Sequence, residues 1–174
     1  MRINLTINDD QYDLDVPPRK TLADTLREDC GLTGTHIGCE QGVCGSCTVL
    51  YEGEPARSCL MFAVQCEGAR IRTVEGMTWC AGRMHPVQEA FRRHGALQCG
   101  FCTPGFLMLL AGALPDLSLP ADEDRLREIV SSNLCRCTGY LPILAAAREA
   151  ADALIATAEA TAEATAEDRA GQEG

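Results

Sequence analysis

The stretch Gly38-Cys39-Glu40-Gln41-Gly42-Val43-Cys44-Gly45-Ser46-Cys47-Thr48 carries three cysteines at C-x4-C-x2-C spacing, and Cys59 follows after eleven residues. Three thiols from one loop reach a common group only if the chain folds back around it, and Gly38, Gly42 and Gly45 supply positions free to take positive φ. The same glycines expose backbone amides that can point at anionic sulfur. The spacing is that of a plant-type 2Fe-2S centre. A structural zinc site can also use four cysteines, but it usually takes them as paired C-x2-C knuckles, which this loop lacks.

Around this loop lies a chain of 174 residues with four Phe, three Tyr and one Trp. That length suits one domain or two small ones, and so few aromatic residues leave small cores in need of covalent or metal staples. Eleven cysteines, an odd number, offer them. Met1 to Asp10 shows no basic segment followed by an apolar one, and no apolar run approaches 18 residues. A cytoplasmic chain with neither secretory signal nor membrane span is therefore expected, and in a reducing compartment its cysteines would hold metal in preference to disulfides. A formal net charge of -10 with scattered basic residues argues against nucleic acid or an anionic membrane as partner. Neither G-x-G-x-x-G after a strand nor G-x-x-x-x-G-K-[ST] is present, so no flavin or nucleotide motif is visible.

The first 76 residues read as a small α+β unit. Arg2 to Ile7 and Tyr12 to Val16 alternate around the turn cluster Asn8-Asp9-Asp10, giving a hairpin. Thr21 to Glu28 follows as a short helix, and Cys47 to Tyr51, Ala56 to Leu60 and Ala69 to Val74 complete a mixed sheet. Residues 77–85, with Trp79 and Cys80, read as a linker. Residues 86–155 then read as all-α, with helices expected at Pro86 to His94, Thr103 to Leu114, Asp122 to Ser132 and Tyr140 to Ala156. The tail 156–174 repeats Ala-Thr-Ala-Glu and is expected to fray into disorder.

The helical half holds a second set of thiols, Cys99-Gly100-Phe101-Cys102 and Cys135-Arg136-Cys137. By spacing alone these four fit zinc or a 2Fe-2S cluster equally well. Cys102 and Cys137 each precede an expected helix, so positive helix ends would converge on one anionic centre. Cys30, Cys66 and Cys80 remain as small buried hydrophobes, with Cys80 the least certain to be covered. His36 is expected to pack or hydrogen-bond near the first cluster. A mixed site of His85 and His94 with Cys80 and Cys99 would rob the second quartet of a thiol. Arg136 would either offset cluster charge or point to solvent.

The blocks Gly38 to Thr48, Gln98-Cys-Gly-Phe-Cys-Thr-Pro-Gly105 and Asn133-Leu-Cys-Arg-Cys-Thr-Gly-Tyr140 resemble, in order, those of the small iron–sulfur subunit of molybdenum hydroxylases, over about residues 2 to 155. Xanthine dehydrogenase and aerobic carbon monoxide dehydrogenase belong to this family. The resemblance implies a β-grasp ferredoxin-like domain with one cluster on Cys39, Cys44, Cys47 and Cys59. It also implies a four-helix domain with a second cluster, of iron rather than zinc, on Cys99, Cys102, Cys135 and Cys137. Gln98 and Cys137 would lie against the molybdopterin of a large partner subunit. Electrons would pass through both clusters to FAD on a medium subunit or to another acceptor, in a dimer of heterotrimers. Ser132 departs from the family, which commonly has glycine there. A stand-alone ferredoxin would leave the helical cysteines idle, and a non-redox zinc-binding interaction module would not account for the glycine-rich loop. With two oxidised clusters of about -2 each, the formal charge becomes roughly -14.

Overall fold

The first hairpin follows from side-chain alternation. In β1 (Arg2–Ile7) Ile3, Leu5 and Ile7 are buried, and the chain turns at Asn8 and Asp9, whose φ values are +52 and +72. Those are the two left-handed positions of a tight hairpin turn, which Asn and Asp tolerate. β2 (Asp10–Asp15) returns antiparallel, with Asp10 opposite Ile7. The structure, a computed structural model, describes residues 1–77, 83–115 and 122–172, with side chains through 157. Trp79 and Cys80 lie outside the described residues.

The second hairpin differs from the sequence expectation. β3 (Thr48–Tyr51) turns at Glu52 and Gly53, both left-handed, so β4 is Glu54–Arg57, and Ser58–Leu60 forms a 3₁₀ turn instead of a strand. Pro55 discouraged a strand reading. It is accommodated because β4 is the sheet edge, where a missing N–H need not pair. β5 (Arg70–Arg72) pairs parallel with β1 and antiparallel with β3, giving the order β2-β1-β5-β3-β4. It is shorter than expected because Val74–Gly76 forms another 3₁₀ turn. On this sheet lies α1 (Leu22–Asp24), capped by Thr21, whose Oγ1 accepts from the Asp24 amide. It continues as a wider π turn over Thr25–Asp29. Leu22 and Leu26 are buried with Leu5, Val49 and Ile71, completing a β-grasp core.

The helical half has its own core. In α2 (Pro86–Arg93) the His85 ring accepts from the Val87 amide at 3.2 Å, and Pro86 occupies the first turn. α3 (Thr103–Ala113) is apolar on nearly every side and central, with Phe106, Met108 and Leu110 fully buried. α4 (Glu123–Ser131) is capped by Asp122 at its start, and Ser132, which caps its end, has φ of -71°, so the position that is commonly glycine in the family needs no left-handed backbone here. α5 (Leu141–Gln172) begins one residue later than expected, since Tyr140 has φ of +69°, and the Ala-Thr-Ala-Glu tail continues it as helical backbone. Glu149 on α5 pairs with Arg93 and His94, and Arg148 pairs with Glu123, tying α5 to α2 and α4. Among the described residues no helix is long and apolar enough to cross a membrane.

The two halves meet closely. Gly112 of α3 lies where an added Cβ would stand 2.6 Å from Pro55 and 2.7 Å from Leu50, and Leu50 packs against the helical core. At the other end of α3, a Cβ on Gly105 would stand 2.3 Å from the Gly45 carbonyl oxygen. The first thiol loop is therefore wedged against the start of α3.

Candidate metal centres

The loop that begins at Gly38 winds inward through left-handed positions at Glu40, Gly42 and Gly45. Gly38 does not share that conformation. An added Cβ there would stand 3.1 Å from Cys44 Sγ, so it is the close approach of sulfur, not backbone freedom, that favours glycine. Cys39 Sγ accepts from the amides of Gln41 and Cys44 at 3.4 Å each. The Cys44 amide, then that of Gln41, brings its thiol down to about 7, easing formation of the thiolate. Cys59 reaches the same place from the 3₁₀ turn after β4, pinned by Ser58, whose hydroxyl donates 2.6 Å to the Cys47 carbonyl. Cys47 and Cys59 are buried against Ala23 and Ile37, and burial, then the adjacent Cys47 thiol, pushes Cys59 up to about 11. The four thiols gather in one place, Cys44 beside Cys39, and Cys59 beside Cys47 with Cys39 also near it.

In the second set Cys137 Sγ stands 3.5 Å from Cys99 Sγ, and Cys102 lies beside Cys135. Burial, then Cys135, pushes Cys102 up to about 12. Burial is the largest influence on the Cys135 thiol and works against its thiolate, but Thr138, the Cys137 amide and Cys102 together hold this thiol below its usual range. Thr138 donates to Cys135 Sγ from its hydroxyl at 3.1 Å and from its amide at 3.5 Å. Tyr140, turned back by its positive φ, accepts the Cys135 amide on its phenol oxygen at 3.0 Å. The expected convergence of two helix ends is thus half realised. Cys102 is the N-cap of α3, whereas α5 starts beyond Tyr140 and local donors replace its dipole.

The donor set bears on what the thiols can hold, since four thiolates can serve one tetrahedral zinc or two irons. A 2Fe-2S rhomb needs two thiolates on each of two irons, which is two pairs and not one tetrahedron. Thr103 Oγ1, one residue after Cys102, is buried without a hydrogen-bond partner and adds an unused donor at the second set. The residues present fit the cluster at both places.

The two sets differ in exposure. Cys47 and Cys59 are buried, whereas Cys99 and Cys137 are exposed, with Gln98, Leu97, Phe101 and Leu134 exposed beside them. His36 spans the two sets. Its ring stacks on Phe101 at 5.0 Å between centroids, and its Nδ1 lies 2.8 Å from the Phe101 carbonyl. His85 caps α2 and His94 faces Glu149, and Cys80 of the mixed Cys/His site weighed from the sequence lies outside the described residues. Arg136 is exposed. Burial raises the thiols of Cys30, to about 11, and of Cys66, which suits spare hydrophobes. Sequence reasoning missed Thr138, Tyr140, Asn133 and Arg57. A hydroxyl residue just after Cys135-Arg136-Cys137 was a legible sign for Thr138, since Thr readily bonds to nearby backbone and side chains.

Profiles of two families match: a 2Fe-2S iron–sulfur cluster binding domain over residues 5–83, and a [2Fe-2S] binding domain over 73–148. The chain is 54% identical over 144 residues to caffeine dehydrogenase subunit gamma from Pseudomonas sp. strain CBB1, covering 82% of this chain and 86% of that protein. It is 49% identical over 150 residues to the nicotine 6-hydroxylase small subunit of Paenarthrobacter nicotinovorans, covering 86% and 89%. Among solved structures, quinoline 2-oxidoreductase from Pseudomonas putida 86 superposes with a TM-score of 0.82 at 52% identity, over 88% of this chain and 95% of that one. Two thiol sets with the geometry of 2Fe-2S ligands, on a β-grasp and a helical domain of this kinship, place the chain in the family of small iron–sulfur subunits of molybdenum hydroxylases.

Proposed function

We propose that this chain is the electron-transfer subunit of a molybdenum hydroxylase complex, working between a molybdopterin-bearing large subunit and an FAD-bearing medium subunit or another acceptor. Cys39, Cys44, Cys47 and Cys59 hold one 2Fe-2S cluster in a domain of residues 1–76. Cys99, Cys102, Cys135 and Cys137 hold the other in residues 86–155, with 77–85 as the linker. When bound, each cluster supplies a site that gains and loses one electron. The observation that carries the reading is the gathering of eight thiols into two sets of four, with amide and hydroxyl donors on Cys39 and Cys135 and with Cys137 3.5 Å from Cys99 at the exposed edge of the second set.

The chain's residues do the work of binding and insulation. Buried Cys47 and Cys59 keep water from the first cluster, while amides of Gln41 and Cys44 and the Thr138 hydroxyl offset thiolate charge. Exposed Gln98 and Cys137, rimmed by Leu97 at 45% and Leu134 at 51% exposure, form the face set against the pterin. Leu60 and Val43, 61% and 60% exposed beside the first thiol loop, suit the side facing the acceptor subunit. The complex is a cytoplasmic dimer of heterotrimers on this reading.

Electron paramagnetic resonance of the reduced complex tests it: two distinguishable 2Fe-2S signals from this chain are expected. Zinc at either set, or a single cluster, would refute it. A stand-alone carrier would purify without a molybdenum subunit.

A further inference from the structure

Arg57 ends β4 directly opposite Thr48 of β3, so the pair lies between Cys47 and Cys59, next to the first thiol set. Its Nη1 donates to the Thr48 hydroxyl, and its Nη2 donates 2.8 Å to the Ser132 carbonyl at the end of α4. Thr48 Oγ1 in turn donates 2.6 Å to the Gly45 carbonyl, which also accepts from buried Asn133 Nδ2 at 3.2 Å. Asn133 is joined to Ser132, so the contacts close a ring from Arg57 through Thr48, Gly45, Asn133 and Ser132 back to Arg57. One residue further, the Leu134 amide donates 2.9 Å to the Cys44 carbonyl. The ring fastens the segment that carries Cys44 and Cys47 to the segment that carries Cys135.

The guanidinium also has no carboxylate among its hydrogen-bond acceptors. Arg70, Arg72, Arg93 and Arg148 each sit on a carboxylate, whereas half-buried Arg57 has neutral oxygens as its hydrogen-bond acceptors. Its positive charge is left over, beside a thiol set that gains a further negative charge when its cluster is reduced. A nearby cation favours the more negative form, and the helix C-terminus at Ser132 holds that cation in place.

We propose that Arg57 is a positioning residue that fixes the separation of the two clusters and raises the potential of the first relative to the second. The proposal rests on the two-cluster reading above. Both acceptors are needed for the first effect, and charge alone suffices for the second. Lysine can therefore replace the charge but not the bridge, since a single ammonium cannot reproduce the planar fork.

The test is a redox titration of the full complex followed by electron paramagnetic resonance, with Arg57→Met and Arg57→Lys. The wild type is expected to show two 2Fe-2S signals and, at low temperature, a splitting from interaction of the two reduced centres. Arg57→Met should shift the first centre's potential downward and weaken the splitting. Arg57→Lys should restore the potential and leave the splitting weak. Unchanged potentials and splitting in Arg57→Met overturn the proposal while the two-cluster reading stands, and zinc or a single cluster in the wild type overturns both. Should Arg57→Met lose its iron, Arg57→Lys decides: a weakened splitting supports the bridge, and an unchanged one refutes it.

Discussion

Replacing Gly105 by alanine puts one methyl group into the seam between the domains. The new Cβ would stand 2.3 Å from the Gly45 carbonyl oxygen and 2.9 Å from Ser46 Cα, both backbone atoms of the first thiol loop. Carbon–oxygen contacts settle at about 3.3–3.6 Å, so the seam must open by about 1 Å. A flexible side chain could swing away, but backbone held between Cys44 and Cys47 cannot. Overpacking of this kind costs about 1–3 kcal/mol. Alanine recovers about 0.5–1 kcal/mol of that, because glycine is the poorer helix residue. The net loss is up to about 2.5 kcal/mol, and for a chain of this size each kcal/mol moves the melting temperature by about 2–4 °C. Gly105→Ala should therefore melt lower, by up to about 10 °C, in far-ultraviolet circular dichroism at a fixed scan rate, with the full chain carrying its clusters. The visible dichroism of the clusters should change too, because Cys44, Cys47 and Cys102 flank the wedge. A melting temperature equal to or above that of the parent would refute the wedge, for alanine's helix preference would then act unopposed.

Thr138→Val removes a hydroxyl donor 3.1 Å from Cys135 Sγ and should lower the second cluster's potential by roughly 40 mV, equivalent to about 1 kcal/mol in a one-electron couple; an unchanged redox titration would show that this bond does not favour the reduced form. Cys137→Ser should abolish the second cluster's paramagnetic signal, keep the first, and block reduction of the acceptor by substrate. Two surviving signals would remove Cys137 from the ligand set. His85, pushed down to about 4 by burial, is neutral in the folded chain and charged in the unfolded one at mildly acid pH. The unfolded state then binds more protons, so stability should be full above about 6.5 and fall as pH drops towards 4. His85→Asn, which keeps a capping acceptor, should flatten that slope in denaturant titrations, and an identical slope in parent and variant would rule out His85 as its source.

The thiol sets and the division into sheet and helices were legible because spacing and periodicity are local properties. Cys39, Cys44 and Cys47 belong to one loop, and Ile3, Leu5 and Ile7 show their buried face by alternation alone. The second hairpin was less legible. Pro55 reads as a breaker until β4 is known to be an edge strand, which depends on how β3 and β5 pair. Tyr140 looked like the first residue of a helix, but its phenol is needed to accept the Cys135 amide, and its backbone turns left-handed to place it.

Sequence by itself showed two sets of four thiols, a sheet half followed by a helical half, and the need for a metal staple, since too few aromatic residues are present to hold two small cores. Only the tertiary structure decided how the two thiol sets face each other. Gly105 against the Gly45 carbonyl, Arg57 between Thr48 and Ser132, and His36 on Phe101 join residues 60 or more positions apart in the chain. No local pattern announces such contacts, because each depends on two surfaces that meet after both domains have folded. The glycines show this most plainly: Gly53 and Gly68 are required only by their own left-handed backbone, whereas Gly105 is required by the Gly45 carbonyl across the seam, and Gly45 both by its backbone and by Asn133, which a Cβ there would approach to 1.9 Å.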